Sequence, residues 1–329
     1  MDLPLVCVVL AGGRGTRLYP ASREDRPKQL LSFADDRSLL TQTVERAGFA
    51  DETYVLTRPE YADAVGEHAP SVAVLTEPEP RDTGPALVYA AHRIREQVGE
   101  CVLVCLPSDH HVRGDFAATA RTAARVAATT EGLVTVGIEP TRPSTGYGYI
   151  EPGERRDGYA PVAQFVEKPD EATAKAYVHA GHYWNAGIFA WTPTALLDAA
   201  QDTPLTGLVD ALDAGDPERG FAAVDSVSID YAVLERADSV FVVPADFEWD
   251  DLGSWDAVGR VLDGDSDGNV TLGEGLTIDA SDCVLASDGH VSAVGVDNLI
   301  VASYDGNTLV VPRDQSQRVR EVVARREDE

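Results

Sequence analysis

The feature that most constrains the fold is an alternation of short apolar runs with amphipathic stretches between residue 3 and about residue 138. The runs LVCVVL, TYVLT, CVLVCL and LVTVGI alternate with helical patterns such as SLLTQTVERA, PALVYAAHRIREQV and DFAATARTAARVAA. Strands that are apolar throughout are buried on both faces, as in parallel sheets covered by helices. The pattern therefore predicts an α/β fold with a Rossmann-like, mostly parallel mixed sheet and helices on both faces.

Residues that commonly begin and end helices flank these patterns. Ser38 and Asp115 stand where the side chain of an N-cap residue would bond the first turn of a helix. Pro85 suits a first turn, and Gly99 suits the residue after a helix. The helix boundaries thus agree with the hydrophobic pattern.

The second half of the chain is less regular. The acidic, glycine-containing stretch DGDSDGN at residues 263–269 predicts a break between two domains, 1–262 and 263–329. The runs VSAVGV, NLIVAS and TLVVP after this break predict a small β unit, either β-helix-like or a meander, followed by a terminal helix near residues 315–327. This small unit is a candidate surface for the formation of a homodimer.

The net charge of −28 excludes some classes of partner. The chain has 55 acidic and 27 basic residues, and only Lys28, Lys168 and Lys175 of the basic residues are lysines. Such a surface repels nucleic acid, and we interpret it as a halophilic adaptation to a saline cytoplasm, where salt screens the repulsion. Since the N-terminal sequence MDLPLVCVVLAGG lacks a basic region and a cleavage site, we expect a cytoplasmic protein with no membrane partner.

The four cysteines are sparse and lie in apolar surroundings. Cys101 and Cys105 share one face of a predicted strand, and no second pair of Cys or His residues lies at the spacing of zinc ligands. We therefore expect reduced thiols that pack in the core, without disulfides or zinc.

The first apolar run ends in a glycine-rich segment, AGGRGTRL, that predicts a phosphate-binding loop. Its glycines allow backbone N–H groups to surround phosphate oxygens, and its arginines add fixed positive charge. The residues that we predict to contact the nucleotide here are Gly12, Gly13, Arg14, Gly15 and Thr16. The segment is not a Walker A loop, which ends in Gly-Lys-Ser/Thr, nor a dinucleotide fingerprint, which requires glycine where Leu18 stands. A lone glycine turn is more often structural, but Arg17 and Lys28 close by favour a triphosphate site.

Residues 10–31, LAGGRGTRLYPASREDRPKQLL, resemble the signature of nucleotidyltransferases that act on sugar phosphates, and the SREDRPK core is typical of mannose-1-phosphate guanylyltransferases. In the order found in that family, the chain also carries TEPEPRDTGPA, LPSDH, GYGYIE, FVEKP, WNAGIF, SIDYAVLE and FEWDDLGSW. The resemblance implies that residues 1–262 form a catalytic domain of the nucleotidyltransferase fold. It also implies that this domain transfers GMP from GTP to mannose 1-phosphate, forming GDP-mannose and pyrophosphate.

The resemblance further implies roles for particular residues. Asp109 of LPSDH and Asp251 of FEWDDLGSW match two acids that bind Mg²⁺, a cation suited by one or two carboxylates together with substrate phosphates. Arg17 and Lys28 match cations that neutralise the triphosphate, Arg17 towards the pyrophosphate and Lys28 towards the α-phosphate, and these four residues form the predicted catalytic set. The positions that match contacts to the sugar phosphate are Gly148, Glu167, Lys168 and Asn185. We interpret Asp250 as a solvated neighbour of Asp251.

Recognition of the base is assigned to residues 76–86. Guanine offers the donors N1–H and N2–H₂, which require a carboxylate or carbonyl acceptor, supplied either by Glu77 or by nearby backbone, and Thr83 is a second predicted nucleotide contact. The family commonly has Arg-Asn-Thr where this chain has Arg81-Asp82-Thr83. An acid near the expected phosphates and ribose leaves the base preference open.

Three alternatives differ in substrate or in class. A glucose-1-phosphate uridylyl- or thymidylyltransferase would use the same chemistry, but SREDRPK and FEWDDLGSW argue against it. A glycosyltransferase would usually carry Asp-x-Asp at the end of a strand, whereas the candidate DSD lies in the acidic break. A non-catalytic regulatory subunit that binds nucleotide sugars would be expected to have lost the charged site residues, which this chain retains.

Overall fold

The computed structural model describes residues 3–33 and 35–327, whose contacts group them into two compact units. The first unit comprises the described residues within 1–12, 43–107 and 113–247, and the second comprises those within 13–42, 108–112 and 248–329. The acidic break and everything after it lie in the second unit, together with two segments from much earlier in the chain. A division into domains after residue 262 stays a prediction.

A nine-stranded sheet forms the centre of the first unit. The first eleven strands of the chain are β1 Leu5–Leu10, β2 Glu52–Thr57, β3 Ala73–Thr76, β4 Val102–Pro107, β5 His111–Gly114, β6 Leu133–Ile138, β7 Tyr149–Pro152, β8 Ala160–Val166, β9 Tyr183–Trp191, β10 Val240–Pro244 and β11 Phe247–Asp250. The order in the large sheet is β3-β2-β1-β4-β9-β6-β10-β8-β7, and β5 pairs with β11 in a separate sheet. Only β8 and β9 run against the other strands of the large sheet, so the predicted mostly parallel mixed sheet is confirmed.

Helices cover this sheet on both faces. The α-helices are α1 Leu39–Arg46, α2 Ala62–His68, α3 Thr83–Val98, α4 Phe116–Thr130, α5 Glu171–His179, α6 Pro193–Ala199, α7 Thr206–Asp213, α8 Pro217–Ala223, α9 Trp255–Val261 and α10 Val319–Glu327. Val6 and Val8 of β1 pack in one cluster with α3, while Cys7 and Val9, which point to the opposite face, are also fully buried. The α4 helix contacts β4, β6, β9 and β10. Within the described residues, no helix has both the length and the apolar character needed to cross a membrane.

The predicted helix boundaries are found in the structure. The Ser38 hydroxyl accepts a hydrogen bond from the Thr41 N–H at 3.1 Å, and the Asp115 carboxylate accepts one from the Ala118 N–H at 3.0 Å. Pro85 lies in the first turn of α3, and Gly99 follows its last residue with φ of +89°. Local side-chain chemistry therefore fixes where these helices begin and end.

The second unit is built on a four-stranded sheet formed by β12 Val270–Ile278, β13 Val284–Val294, β14 Leu299–Tyr304 and β15 Asn307–Pro312. The strands β12, β13 and β14 are parallel to one another, and β15 is antiparallel to β14. The core of this unit joins Leu18 and Leu31 to Trp255 and to the buried face of the sheet. The predicted terminal helix begins as a 3-10 helix, Arg313–Arg318, and continues as α10.

Candidate active site

The phosphate-loop candidate follows β1, and its shape depends on Gly15. This glycine has φ of +68° and precedes a 3-10 helix, Thr16–Leu18. A Cβ atom on Gly15 would lie 2.3 Å from Cβ of Lys28, whereas a Cβ on Gly13 would meet no heavy atom within 4 Å. The backbone carbonyl of Arg14 accepts a hydrogen bond from the Ser22 hydroxyl at 2.6 Å. The loop is thus folded tightly against Lys28, whose side chain is buried.

Lys28 connects the predicted catalytic residues of the second unit. It starts a short 3-10 helix, Lys28–Leu30, after Pro27, and it is only 4% exposed. Its Nζ atom lies 2.9 Å from Oδ2 of Asp109 and also donates a hydrogen bond to the backbone carbonyl of Asp251. A buried ammonium requires such partners, because removal of the charge from water is costly.

Asp109 lies just beyond the carboxyl end of β4, the end at which open α/β sheets bind their ligands. Burial acts to raise the pKa of Asp109, but the neighbouring Lys28 ammonium and then His110 outweigh it, so that this pKa lies below its ordinary value. The negative charge of Asp251 also acts on Asp109 and opposes this lowering. The two carboxyl groups are therefore close enough to interact electrostatically.

Gly253 allows the Asp251 carboxylate to lie against the backbone. A Cβ atom on Gly253 would stand 2.5 Å from Oδ2 of Asp251, and the Gly253 N–H donates to Oδ1 at 3.2 Å. Within the FEWDDLGSW motif, the chain therefore turns so that the backbone of Gly253 contacts the carboxylate of Asp251. Within the described residues, no group of three or more His, Cys, Asp or Glu side chains could hold a metal ion.

The interpretation of Asp250 as a solvated acid is wrong. Its side chain is 14% exposed, pairs with Arg260 at 3.1 Å, and accepts a hydrogen bond from the Leu252 N–H at 2.9 Å. Burial, followed by the charge of Asp251, raises the pKa of Asp250. Arg260 lies 10 positions further along the chain, and nothing in the local sequence indicates that it would pair with this acid.

Arg17 is held by a residue that the sequence did not indicate. Its guanidinium donates a hydrogen bond to Oε1 of Gln317 at 3.0 Å, and Gln317 belongs to the 3-10 helix that precedes α10. His110, next to Asp109, accepts a hydrogen bond from Nε1 of Trp249 at 3.0 Å. Side chains of the terminal segment and of FEWDDLGSW thus fix the surroundings of the predicted catalytic set.

In the first unit, Glu77 lies beside the start of the glycine-rich segment. It is 6% exposed, its Oε1 atom lies 3.2 Å from where a Cβ on Gly12 would stand, and its Oε2 atom has no hydrogen-bond partner among the described residues. Burial raises the pKa of Glu77 to about 7, and the Arg58 guanidinium acts in the opposite direction. A buried acceptor without a partner is suited to a ligand that brings its own donor.

Thr83 and Asp82 have structural roles at the start of α3. The Asp82 carboxylate accepts a hydrogen bond from the Thr83 N–H at 2.6 Å, and the Thr83 hydroxyl accepts one from the Ile229 N–H at 3.0 Å. Since Asn and Asp are both favoured as N-caps, the replacement of the family's Asn by Asp82 preserves this function. The role of Thr83 as a nucleotide contact stays a prediction.

The four predicted sugar-phosphate residues come together in the first unit. The Asn185 N–H donates to the Gly148 carbonyl at 2.8 Å, and a Cβ on Gly148 would stand 2.4 Å from Oε2 of Glu167. Glu167 forms an ion pair with Lys168, whose side chain is 61% exposed. The glycine is thus needed for the close approach of the Glu167 carboxylate to the backbone.

The same cluster includes Asp230, to which sequence reasoning assigned no role. The Asn185 amide donates a hydrogen bond to Oδ1 of Asp230 at 2.7 Å, and burial, followed by the charge of Glu167, raises the pKa of Asp230 to about 7. The motif SIDYAVLE, which contains Asp230, was the available signal. A role for this acid becomes visible only when the fold brings it against Asn185.

Comparisons with known proteins identify relatives of this chain. Residues 6–267 match the family described as nucleotidyl transferase, and residues 273–325 match the mannose-phosphate isomerase/GMP-like β-helix domain. The xanthan biosynthesis protein XanB of Xanthomonas campestris pv. campestris is 37% identical to this chain over 96% of the chain and 72% of that protein. A mannose-1-phosphate guanylyltransferase of Escherichia coli is 35% identical over 97% of this chain and 73% of that protein.

A solved structure extends the similarity to three dimensions. The crystal structure of a Thermus thermophilus protein described as mannose-1-phosphate geranyltransferase shares 38% sequence identity with this chain and superposes with a TM-score of 0.92. The match covers 99% of this chain and 100% of that one. The prediction of a nucleotidyltransferase fold with a β-helix-like C-terminal unit is confirmed.

Proposed function

The chain belongs to the nucleotidyl transferase family of mannose-1-phosphate guanylyltransferases, and from this premise we propose that it transfers GMP from GTP to mannose 1-phosphate, forming GDP-mannose and pyrophosphate. The observation that carries the proposal is the buried Lys28, which binds Asp109 and the backbone of Asp251 behind a glycine-rich loop. This arrangement supplies fixed positive charge next to two carboxylates. Transfer of a nucleotidyl group between phosphates needs both.

The two carboxylates fit Mg²⁺. This ion usually takes one or two carboxylates and completes its coordination with substrate phosphates and water, so a pair of acids without a third ligand suits it. The lowered pKa of Asp109 keeps this acid ionised at neutral pH, as a metal ligand must be. Asp109 and Asp251 would hold the ion, and a bound Mg²⁺ would supply charge neutralisation on the phosphate oxygens.

The reaction itself requires no general base. A phosphate oxygen of mannose 1-phosphate, already ionised, attacks the α-phosphorus of GTP, the bond from that phosphorus to the bridging oxygen breaks, and pyrophosphate leaves with the bonding electron pair. Lys28 stabilises the negative charge that accumulates around the α-phosphorus, and Arg17 binds the departing pyrophosphate. Catalysis then consists mainly of positioning and charge neutralisation.

The remaining predicted residues bind the substrates. The loop Gly12–Thr16 holds the triphosphate with its backbone N–H groups, and the Glu77 carboxylate accepts from the N1–H and N2–H₂ donors of guanine. Lys168 binds the phosphate of the sugar, and Glu167 and Asn185 bind sugar hydroxyls. The partly exposed Lys168 side chain and the adjacent Glu167 carboxylate support this assignment.

The test is release of pyrophosphate in the presence of Mg²⁺ and high KCl. Each of GTP, ATP, UTP and dTTP is paired with mannose 1-phosphate and with glucose 1-phosphate, and the product is identified by mass. We expect GTP with mannose 1-phosphate to exceed every other pair. Turnover of another pair alone would support nucleotidyl transfer but contradict the proposed substrates. Absence of turnover in every pair would contradict the assignment as an enzyme and favour a binding subunit.

A further inference from the structure

The hydrogen bonds around Asn185 use up its acceptor capacity. The amide oxygen Oδ1 accepts from the Thr135 hydroxyl at 2.8 Å and from the Gly187 N–H at 3.2 Å, and an amide oxygen has two lone pairs. A backbone N–H can only donate, so Gly187 fixes which side of the amide is oxygen. Asn185 can therefore offer a ligand only a donor, the second N–H of Nδ2.

Asp230 fixes the other side of the same amide. Its Oδ1 atom accepts from Nδ2 of Asn185 at 2.7 Å, and its backbone carbonyl accepts from the Glu235 N–H at 2.9 Å, which anchors the π-helix Asp230–Leu234. In its ionised form the Asp230 carboxylate has about four lone-pair positions, so the bond from Asn185 leaves acceptor capacity on a side chain that keeps some exposure to solvent. Asp230 thus stands beside the Asn185 donor as an acceptor.

We propose that Asp230 is a specificity-determining residue that, together with Asn185, presents one acceptor and one donor to two neighbouring hydroxyls of the sugar. The inference rests on the proposed function, since it concerns the sugar of that substrate. A pair of adjacent hydroxyls can both donate and accept, so a fixed acceptor next to a fixed donor recognises their relative orientation. The hydrogen bond to Asp230 also prevents the side-chain amide of Asn185 from flipping by rotation.

Two charged neighbours complete this surface. Glu167 raises the pKa of Asp230 and Lys168 lowers it, and the carboxylate of Glu235 accepts a hydrogen bond from the backbone N–H of Glu167. Glu167 is therefore held in place by the same motif that carries Asp230. The motif SIDYAVLE therefore contributes to sugar binding as well as to the packing of its helix.

The first variant is Asp230→Asn, which keeps the size of the side chain and can still accept from Asn185. We expect the KM for mannose 1-phosphate to rise roughly tenfold or more, because the acceptor that faces the sugar is replaced by an amide N–H donor, while the KM for GTP changes less than about twofold. Asp216→Asn, the same substitution at the N-cap of α8 in the same unit, is the matched control and should leave both constants unchanged.

A second variant is the exchange Asn185→Asp with Asp230→Asn. This double variant keeps every internal hydrogen bond, because the new carboxylate at position 185 would accept from Thr135, from Gly187 and from the new amide at position 230. It reverses the donor and acceptor shown to the sugar. Restoration of the KM for mannose 1-phosphate by the exchange would show that neither member of the pair recognises the sugar, and it would overturn the inference. A KM that stays raised supports recognition by the pair, and the single variant Asp230→Asn, which keeps the Asn185 amide, assigns the acceptor to Asp230.

Calorimetric titration separates this inference from the proposed function. Binding of mannose 1-phosphate and of glucose 1-phosphate is measured directly in the wild type and in Asp230→Asn, with GTP as the reference ligand, so no turnover is needed. Weaker binding of the preferred sugar phosphate with unchanged binding of GTP supports the role of Asp230 whichever nucleotide the enzyme uses. An equal loss for both ligands, or no loss for either, contradicts it.

Discussion

Lys28 is the buried positive charge of the candidate active site. Its ammonium group is almost fully buried and stands between the Asp109 carboxylate and the Asp251 carbonyl. Without it, Asp109 and Asp251 would repel each other in a partly buried site. The ammonium group that stabilises the protein without ligand is also the group that we propose to contact the α-phosphate of GTP.

We therefore predict that Lys28→Met will lower kcat by about 100-fold or more, because an oriented positive charge in a site of this kind contributes about that factor. The methionine side chain fills a similar volume, so the core around it should remain packed. Steady-state kinetics with GTP and mannose 1-phosphate measure the loss.

The chain offers a matched control for this substitution. Lys175 is 57% exposed and pairs with Glu171 one helical turn away, and such solvent-exposed pairs contribute little to stability. Lys175→Met should leave kcat and the melting temperature close to those of the wild type. A Lys28→Met enzyme with kcat within a few-fold of the wild type would remove Lys28 from the catalytic set.

Glu77 gives the proposed base recognition a pH dependence. Burial raises its pKa to about 7, so the carboxylate becomes protonated as the pH falls through that value and can no longer accept from both guanine donors. We predict that the KM for GTP rises below about pH 7 in the wild type and that Glu77→Gln loses this dependence. The pH profiles of KM for the two proteins, with mannose 1-phosphate saturating, test it.

The stability of the protein provides an independent check on Glu77. Because its pKa in the folded state lies above the ordinary value of 4.5, the native state binds this proton more tightly than the unfolded state. The free energy of unfolding should therefore decrease in the wild type, relative to Glu77→Gln, as the pH rises from about 4.5 to about 7. Parallel curves for the two proteins would show that Glu77 ionises normally.

At this scale, residue types were easier to predict than their partners. The motifs identified Lys28, Asp109 and Asp251, and the fold brings them together. The ion pair of Asp250 with Arg260 and the bond from Asn185 to Asp230 were missed. In the second case 45 positions of sequence separate the partners, and no periodic pattern links them.

At the scale of elements, the glycine-rich loop is shaped by steric contact as much as by flexibility. Gly15 has a left-handed backbone, and a Cβ atom at this position would overlap Lys28, whereas the Cβ position of Gly13 is open. The loop and the short helix of Lys28 are therefore packed as one piece. Its conformation should be largely set before a nucleotide binds.

We predict that Gly15→Ala lowers the free energy of unfolding by about 2 kcal/mol or more, because a left-handed alanine costs about 1–2 kcal/mol and its Cβ also overlaps Lys28. Gly13→Ala, two positions away, should change it by less than about 0.5 kcal/mol. Urea denaturation of both variants measures the difference. Equal stability of the two would show that the loop adapts freely.

Elements with a local signal were predicted well. The alternation of apolar runs and caps such as Ser38 and Asp115 identified β1, β2, β4 and β6 with α1, α3 and α4 in the first 138 residues, but not β3, β5 or α2. The membership of residues 13–42 in the same compact unit as the C-terminal sheet had no such signal. It depends on long-range contacts such as the hydrogen bond from the Trp255 indole to the Tyr19 carbonyl, 236 positions apart.

At the scale of the whole molecule, the charge dominates. In a chain with 55 acidic and 27 basic residues, the excess negative charges repel one another, and this repulsion is stronger in the compact folded state than in the unfolded chain. Many of its acids have local partners, as in the pairs of Arg260 and Arg313 with Asp256. Such pairs do not cancel the excess, because there are about two acids for every base.

We predict that the melting temperature at pH 7 rises with KCl concentration, because the screening length falls from about 10 Å at 0.1 M to about 3 Å at 1 M. The mechanism can be separated from a general effect of salt on apolar burial by repeating the series at about pH 5, where some carboxylates are protonated and the net charge is smaller. The slope of melting temperature against the logarithm of KCl should then shrink. A flat response at pH 7 would contradict the halophilic interpretation, and an equal slope at both pH values would assign the effect to apolar burial, since only screening depends on the charge that the acids carry.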